Sequence, residues 1–265
     1  MPDLSRIIVV TALLAVVPTA VASAQASETT APRQYYELRT YHFDTAVQQQ
    51  RYEGYLRDAL IPALNRAGLT PIGAFTVEKQ PDNHTLYLFI PYPSIEAFAT
   101  LDDKLAADTA LHAAGSAIWN LPATDPPYSR IESSLLYAFP GMPQLHIPAE
   151  TAGNKGRAFE LRTYSSASER AGLKKIEMFD VGEIAVFKRA GFQPVFYGQT
   201  IIGSNRPSLT YMITYPDGVD RGSLWKKFGA DPESKRLFAK PEYQDKQIVS
   251  KIDHVFLRPT SCSQL

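Results

Sequence analysis

A single cysteine, Cys262, serves all 265 residues and lies close to the C-terminus. One thiol cannot form an intrachain disulfide or a thiolate metal cluster, so a hydrophobic core must hold the chain together. Charge of one sign is also missing, since 27 basic residues face 27 acidic ones with no basic run. The concentrated positive field that nucleic acid or an anionic membrane requires is therefore absent. The five histidines, His42, His84, His112, His146 and His254, make no H-x-H or H-x-x-x-H pair. Nothing signals a metal site, and no metal or other cofactor is expected. The chain also lacks a G-x-S-x-G elbow, a G-x-G-x-x-G fingerprint and a P-loop, which removes support for the common hydrolase and nucleotide-binding readings. No catalytic residue can be named.

Long apolar runs are scarce too. The run Ile7–Val17 is too short to span a hydrocarbon layer of roughly 30 Å. With Arg6 before it and Ala22-Ser23-Ala24 after it, residues 1–24 read as a signal peptide cleaved after Ala24. The mature chain is expected to be periplasmic or secreted, with no membrane span. Its 45% apolar content is ample for real cores.

What the chain does have is repetition. "ELRTY" occurs at Glu37–Tyr41 and again at Glu160–Tyr164, an offset of 123 residues. At the same offset Arg66-Ala67-Gly68 matches Arg189-Ala190-Gly191, Tyr92-Pro93 matches Tyr215-Pro216, and Ala107-Asp108 matches Ala230-Asp231. Near the end the register slips by two, with Ile131-Glu132 answering Ile252-Asp253. Register kept over so long a stretch marks a duplicated domain.

Each copy reads in the same order. "YYELRTYHF" alternates like a strand; Thr45 to Ala67 favours a helix that Pro62 could kink, with Gly68 as its cap. Paired strands follow on either side of "KQPDN", then a second helical region from Ser94 and a last strand, "RIESSLLYAF". The order β-α-β-β-α-β, twice, gives the class α+β with two tandem ferredoxin-like domains. Their bounds are 33–140 and 157–259, joined by a linker rich in Pro and Gly at 141–156. The strand "HTLYLFIPYP" is apolar on both alternating faces, as a strand covered on both sides should be. Helices cover one face and the other copy's sheet the second, so the chain is expected to close an α+β barrel on itself. Either half alone would expose Tyr87 and Phe89, or Tyr211 and Ile213.

A strand "YELRTY", a helix ending "RAG", "YP" before the second helix and "ADP" within it together resemble the NIPSNAP family. The second copy carries every element, and the first departs at Thr109, where proline would stand. The resemblance runs from Tyr35 to Arg258. It implies a dimeric α+β barrel, here in tandem form, and no settled reaction.

The pentapeptide poses the functional question. In a strand Glu37, Arg39 and Tyr41 share one face, and Tyr36, Leu38 and Thr40 the other. The apolar set is expected to meet the helices, leaving the polar set between the two sheets. A covered charge needs a partner. In one reading Glu37 with Arg39, and Glu160 with Arg162, are internal pairs that fix how the sheets dock. In the other, Glu37, Arg39, Tyr41, Glu160, Arg162 and Tyr164 line a site for a polar ligand inside the barrel. Repetition in both copies favours the packing role. Two functions remain open on this basis. One is a non-enzymatic scaffold for a small molecule or protein partner, self-association included. The other is a monooxygenase-like or haem-dependent oxidoreductase. The two tryptophans, Trp119 and Trp225, read as core.

Overall fold

The computed structural model describes residues 31–80, 82–149, 156–215 and 218–265. The expected signal segment lies outside them, as does part of the linker. The first alternating stretch forms β1 (Tyr35–His42), and its repeat forms β5 (Ala158–Ser165). The first copy adds β2 (Gly73–Val77), β3 (Thr85–Tyr92) and β4 (Arg130–Ala138); the second adds β6 (Gln193–Ile202), β7 (Ser208–Tyr215) and β8 (Lys251–Pro259). Each copy makes an antiparallel sheet, ordered β4-β1-β3-β2 in one and β8-β5-β7-β6 in the other. The sheets then join, β2 to β8 and β4 to β6, so a closed eight-stranded barrel forms within one chain. The expected α+β class and intrachain barrel are both present.

Helices cover the outside of the barrel. Thr45 caps α1 (Ala46–Tyr55) by accepting a hydrogen bond from the Gln48 N–H. A π turn at Leu56–Leu60 leads into α2 (Ile61–Arg66). The second copy repeats this plan with α7 (Glu169–Met178), a π turn at Phe179–Glu183 and α8 (Ile184–Ala190). Pro62 is thus not the cause of the irregularity, because Ala185 occupies its place in the second copy. Gly68 and Gly191, at φ +86° and +95°, end the two helical arms, a backbone conformation that glycine adopts without strain.

The second helical region is broken, not continuous. In the first copy it forms α3 (Ile95–Ala99), α4 (Leu101–Ala107), α5 (Thr109–Ala114) and α6 (Ser116–Trp119); in the second, α9 (Arg221–Ala230), α10 (Pro232–Ala239) and α11 (Asp245–Ile248). The repeated aspartate makes one of these breaks. Asp108 accepts from the Leu111 N–H at 2.9 Å, and Asp231 from the Glu233 N–H at 2.8 Å, so each caps a new helix. The arginine of each "RAG" then grips the cap: Arg66 reaches Asp108 at 2.7 Å and Arg189 reaches Asp231 at 2.9 Å. Two motifs far apart in sequence are one device.

Burial separates three main cores, and it corrects the expected face of the pentapeptide. Tyr36 packs with Phe75, Phe89, Phe159, Phe196 and Met212, residues of both copies, so it points into the barrel. Leu38 and Leu161 belong to the same interior. Tyr41 packs instead with Tyr52, Leu56, Leu60 and Leu64 of the helical arm, and Tyr164 does so with Phe179. The polar set therefore faces the helices and the apolar set faces the other sheet, the reverse of the expectation. Tyr211 and Ile213 likewise lie on the helix side, with Met212 inside the barrel. The physical reason is dryness. Two sheets meeting face to face interlock rings from both sides, while the helix layer leaves room for polar atoms at its margins.

Charges do join the copies, but at another place. Glu78, just beyond β2, is buried and receives Arg221 at 2.9 Å and Arg258 at 2.8 Å, both from the second copy. Among the described residues no helix is long and apolar enough to cross a membrane.

Candidate functional site

Alternation along β1 places Glu37, Arg39 and Tyr41 side by side beneath the helices. Arg39 donates from Nε to Glu37 at 2.7 Å and from Nη2 at 2.9 Å, a two-pronged pair. Glu37 also accepts from Tyr92 Oη and Ser133 Oγ, each at 2.7 Å. Burial pushes the Glu37 carboxyl up, but Arg39, Tyr92 and Ser133 outweigh it and hold its pKa below the ordinary value. The second copy mirrors this. Arg162 donates to Glu160 at 2.6 Å, Tyr215 donates to the same carboxylate, and His254 stands 3.2 Å away in the place of Ser133. The internal pairing expected for both couples is present. Its location differs: it lies on the helix-facing side of each sheet and ties strands of that sheet together, not the two sheets to each other.

Above Arg39 the first copy is hollow. A cavity of about 430 Å³ is floored by Arg39 and Tyr41 and walled by Tyr52 and Tyr55 of α1, Asp102 and Leu105 of α4, Trp119 of α6, and Tyr128. The rings form a continuous aromatic lining: Tyr41 to Tyr52 is 4.8 Å between centroids, Tyr52 to Tyr55 5.3 Å and Tyr52 to Tyr128 5.6 Å. Burial pushes the phenols of Tyr52, Tyr55 and Tyr128 above their ordinary range, with Tyr41 adding to it. They stay neutral hydrogen-bonding groups. The Arg39 guanidinium borders this space, beside the Tyr92 phenol.

The same place in the second copy is filled. At the position of Asp102 stands Trp225, whose ring lies 4.6 Å from the Arg162 guanidinium. Phe192 and Phe228 pack on that tryptophan at 4.7 and 5.6 Å. At the position of Tyr52 stands Lys175, buried, with Glu183 at 3.2 Å. Burial pulls the lysine down, yet Glu183 and Asp245 raise it more and keep it charged. One copy offers a cavity over its arginine; the other seals it.

The six residues expected as a site thus divide by copy. Glu37, Arg39 and Tyr41 sit at or beneath the cavity, while Glu160, Arg162 and Tyr164 lie in packed structure. Neither triplet lines the barrel interior. Trp119, read as core, is 46% exposed on the cavity wall, whereas Trp225 is packed as expected. Asp102 and Tyr128 carry no signal of a site in the sequence of the first copy alone, and Tyr52 and Tyr55 read there only as the spaced face of the first helix. Comparison of the copies signals two of the four: Asp102 against Trp225 and Tyr52 against Lys175 are the places where aligned copies differ in kind. His42 and His84 border a shallow surface hollow away from the cavity, and no group of metal ligands exists among the described residues. A wider hollow of about 650 Å³ lies under Gly141–Pro148 against Lys188 and Gln193, without a comparable aromatic lining.

The fold recurs in known proteins. The family model NIPSNAP matches residues 36–137 and 159–264. The chain belongs to the NIPSNAP family. No curated protein matches it. Among solved structures, this NIPSNAP protein is similar to a putative monooxygenase from Fusobacterium nucleatum, at 13% identity and a TM-score of 0.55, over 86% of this chain and 93% of that one. A putative monooxygenase from Lactobacillus acidophilus matches at 10% identity and 0.55, over 88% and 97%. A NIPSNAP-like domain protein from Burkholderia xenovorans shares 20% identity over 41% of this chain and 89% of its own, at 0.36. At these identities the first two likenesses establish the barrel fold and no more.

Proposed function

We propose that this NIPSNAP protein is a binding scaffold that holds one small molecule in the cavity of its first copy. The observation that carries the reading is the contrast between copies: Arg39 lies under an open, aromatic-lined cavity, and Arg162 lies under Trp225. A duplicated domain that seals one of two equivalent places retains a single site. The cavity's size, apolar walls and few convergent polar groups suit a small ligand. The barrel interior is filled by Tyr36, Phe75, Phe89, Phe159 and Phe196. A haem-dependent or monooxygenase-like reading has only the neighbours' fold behind it, and fold does not fix function.

Native mass spectrometry on protein purified from its own host tests this. One retained small molecule per chain, lost on Asp102→Trp, is the expected result. A visible absorption band typical of haem would turn the reading toward an oxidoreductase. Export belongs to the same proposal, resting on Ile7–Val17 and Ala22-Ser23-Ala24. N-terminal sequencing of the exported protein should begin near Gln25, and a Met1 start would overturn it.

A further inference from the structure

We infer that the cavity of the first copy selects a neutral, flat aromatic molecule carrying a carbonyl or hydroxyl oxygen, and rejects aromatic acids. This rests on the binding reading above and names its ligand class. The walls set the shape. Tyr41, Tyr52, Tyr55, Tyr128 and Trp119 present ring faces and edges, and Leu60, Leu105, Ile118 and Ile131 complete an apolar sleeve. Aromatic partners stack or meet edge to face at the separations these rings already show. A branched aliphatic body would leave such faces poorly covered.

The charges set the polarity. Arg39 alone would attract an anion, but Glu37 already neutralises it through two hydrogen bonds, at 2.7 and 2.9 Å. Glu37 is in turn held by Tyr92 and Ser133 and cannot turn away. A carboxylate entering the cavity would make the second buried anion against one cation, a costly excess where water is scarce. Asp102 stands in the wall at an exposed position and adds like-charge repulsion on the way in. What remains favourable is a neutral acceptor for the Arg39 guanidinium on the cavity floor, or a hydroxyl that exchanges hydrogen bonds with the neutral tyrosines. An arene with no oxygen would displace water from these polar groups and return no hydrogen bond.

Titration calorimetry on the full mature chain with naphthalene, 2-naphthol and 2-naphthoate tests the class. 2-Naphthol should bind at least tenfold more tightly than 2-naphthoate and several-fold more tightly than naphthalene. Asp102→Trp, which copies the seal of the second copy, should abolish binding of all three. Ala106→Leu, a smaller intrusion from the same helix face, serves if the tryptophan variant does not fold. Asp102→Asn should raise 2-naphthoate affinity at low salt by more than it changes 2-naphthol affinity. Equal or tighter binding of 2-naphthoate, still abolished by Asp102→Trp, would sink the ligand class and leave the site standing. No binding by wild type, or binding that both cavity-filling variants leave intact, would sink the site itself.

Discussion

Glu78 of the first copy holds Arg221 of the second at 2.9 Å and is the buried carboxylate at the seam between copies. Arg258 reaches the same carboxylate at 2.8 Å. Burial pushes Glu78 up, but the two arginines prevail and its pKa sits below the ordinary value. Glu78→Ala would leave two part-buried guanidinium groups without this acceptor. Both keep some contact with water, at 25% and 33% exposure, so the loss should be about 2 kcal/mol. A urea melt of the variant measures it, and an unchanged midpoint would remove Glu78 from the account of the seam.

The pair beneath the cavity makes a second test. The Glu37 side chain is 5% exposed and that of Arg39 17%. Arg39→Met strands Glu37 with only Tyr92 and Ser133, at a cost of about 3 kcal/mol. Adding Glu37→Gln removes the stranded charge, so the double variant should recover part of that loss. If Arg39→Met melts like wild type, the couple does not brace the sheet.

A third expectation concerns acid. The Arg189 guanidinium and the capped N–H groups of α10 hold the Asp231 carboxyl at about 2, below the ordinary 3.8. A group with a depressed folded pKa stabilises the fold above its unfolded pKa, and that contribution is lost as pH falls through the folded one. Thermal melts between pH 5 and roughly pH 2 should therefore show wild type losing stability on acidification. Asp231→Asn should be less stable at pH 5 and less sensitive to acid over that window. Parallel pH slopes for the two proteins would contradict the assignment.

Legibility in the sequence differs from one part of the molecule to another. The offset between the copies, and the strand and helix order, were legible because a duplicated pattern reports itself twice. The Glu37–Arg39 couple was legible because two opposite charges at i and i+2 on a covered strand face must pair. The direction of that face was not. β1 alternates polar and apolar, and alternation alone does not say which neighbour is drier. Glu78 was illegible for another reason, since its partners Arg221 and Arg258 come from distant strand and helix ends that only barrel closure brings together. The cavity was half legible: Asp102 opposite Trp225 was visible in the alignment of the copies, but a missing side chain becomes a hole only when its surroundings are in place.

The final expectation follows from the corrected faces. Separating the copies would bare the inner face of each sheet. Residues 31–148 would expose Tyr36, Phe75, Phe89 and Leu136, all at 0% exposure in the whole chain. Each large side chain brought out of the core costs about 2 kcal/mol, together a loss comparable to the whole reserve of a domain of this size. The fragment should therefore regain cover by pairing with a second copy of itself, sheet face to sheet face. Sedimentation at micromolar concentration should show a dimer or larger species. Phe89→Asp, which places a charge on that face, should shift the fragment toward monomer or unfold it, with circular dichroism separating those outcomes. A folded, monomeric wild-type fragment would mean that the interior rings are dispensable and that the two sheets close for some other reason. The same substitution in the whole chain should be severely destabilising, because there Phe89 stacks on Phe196 of the other copy at 4.6 Å.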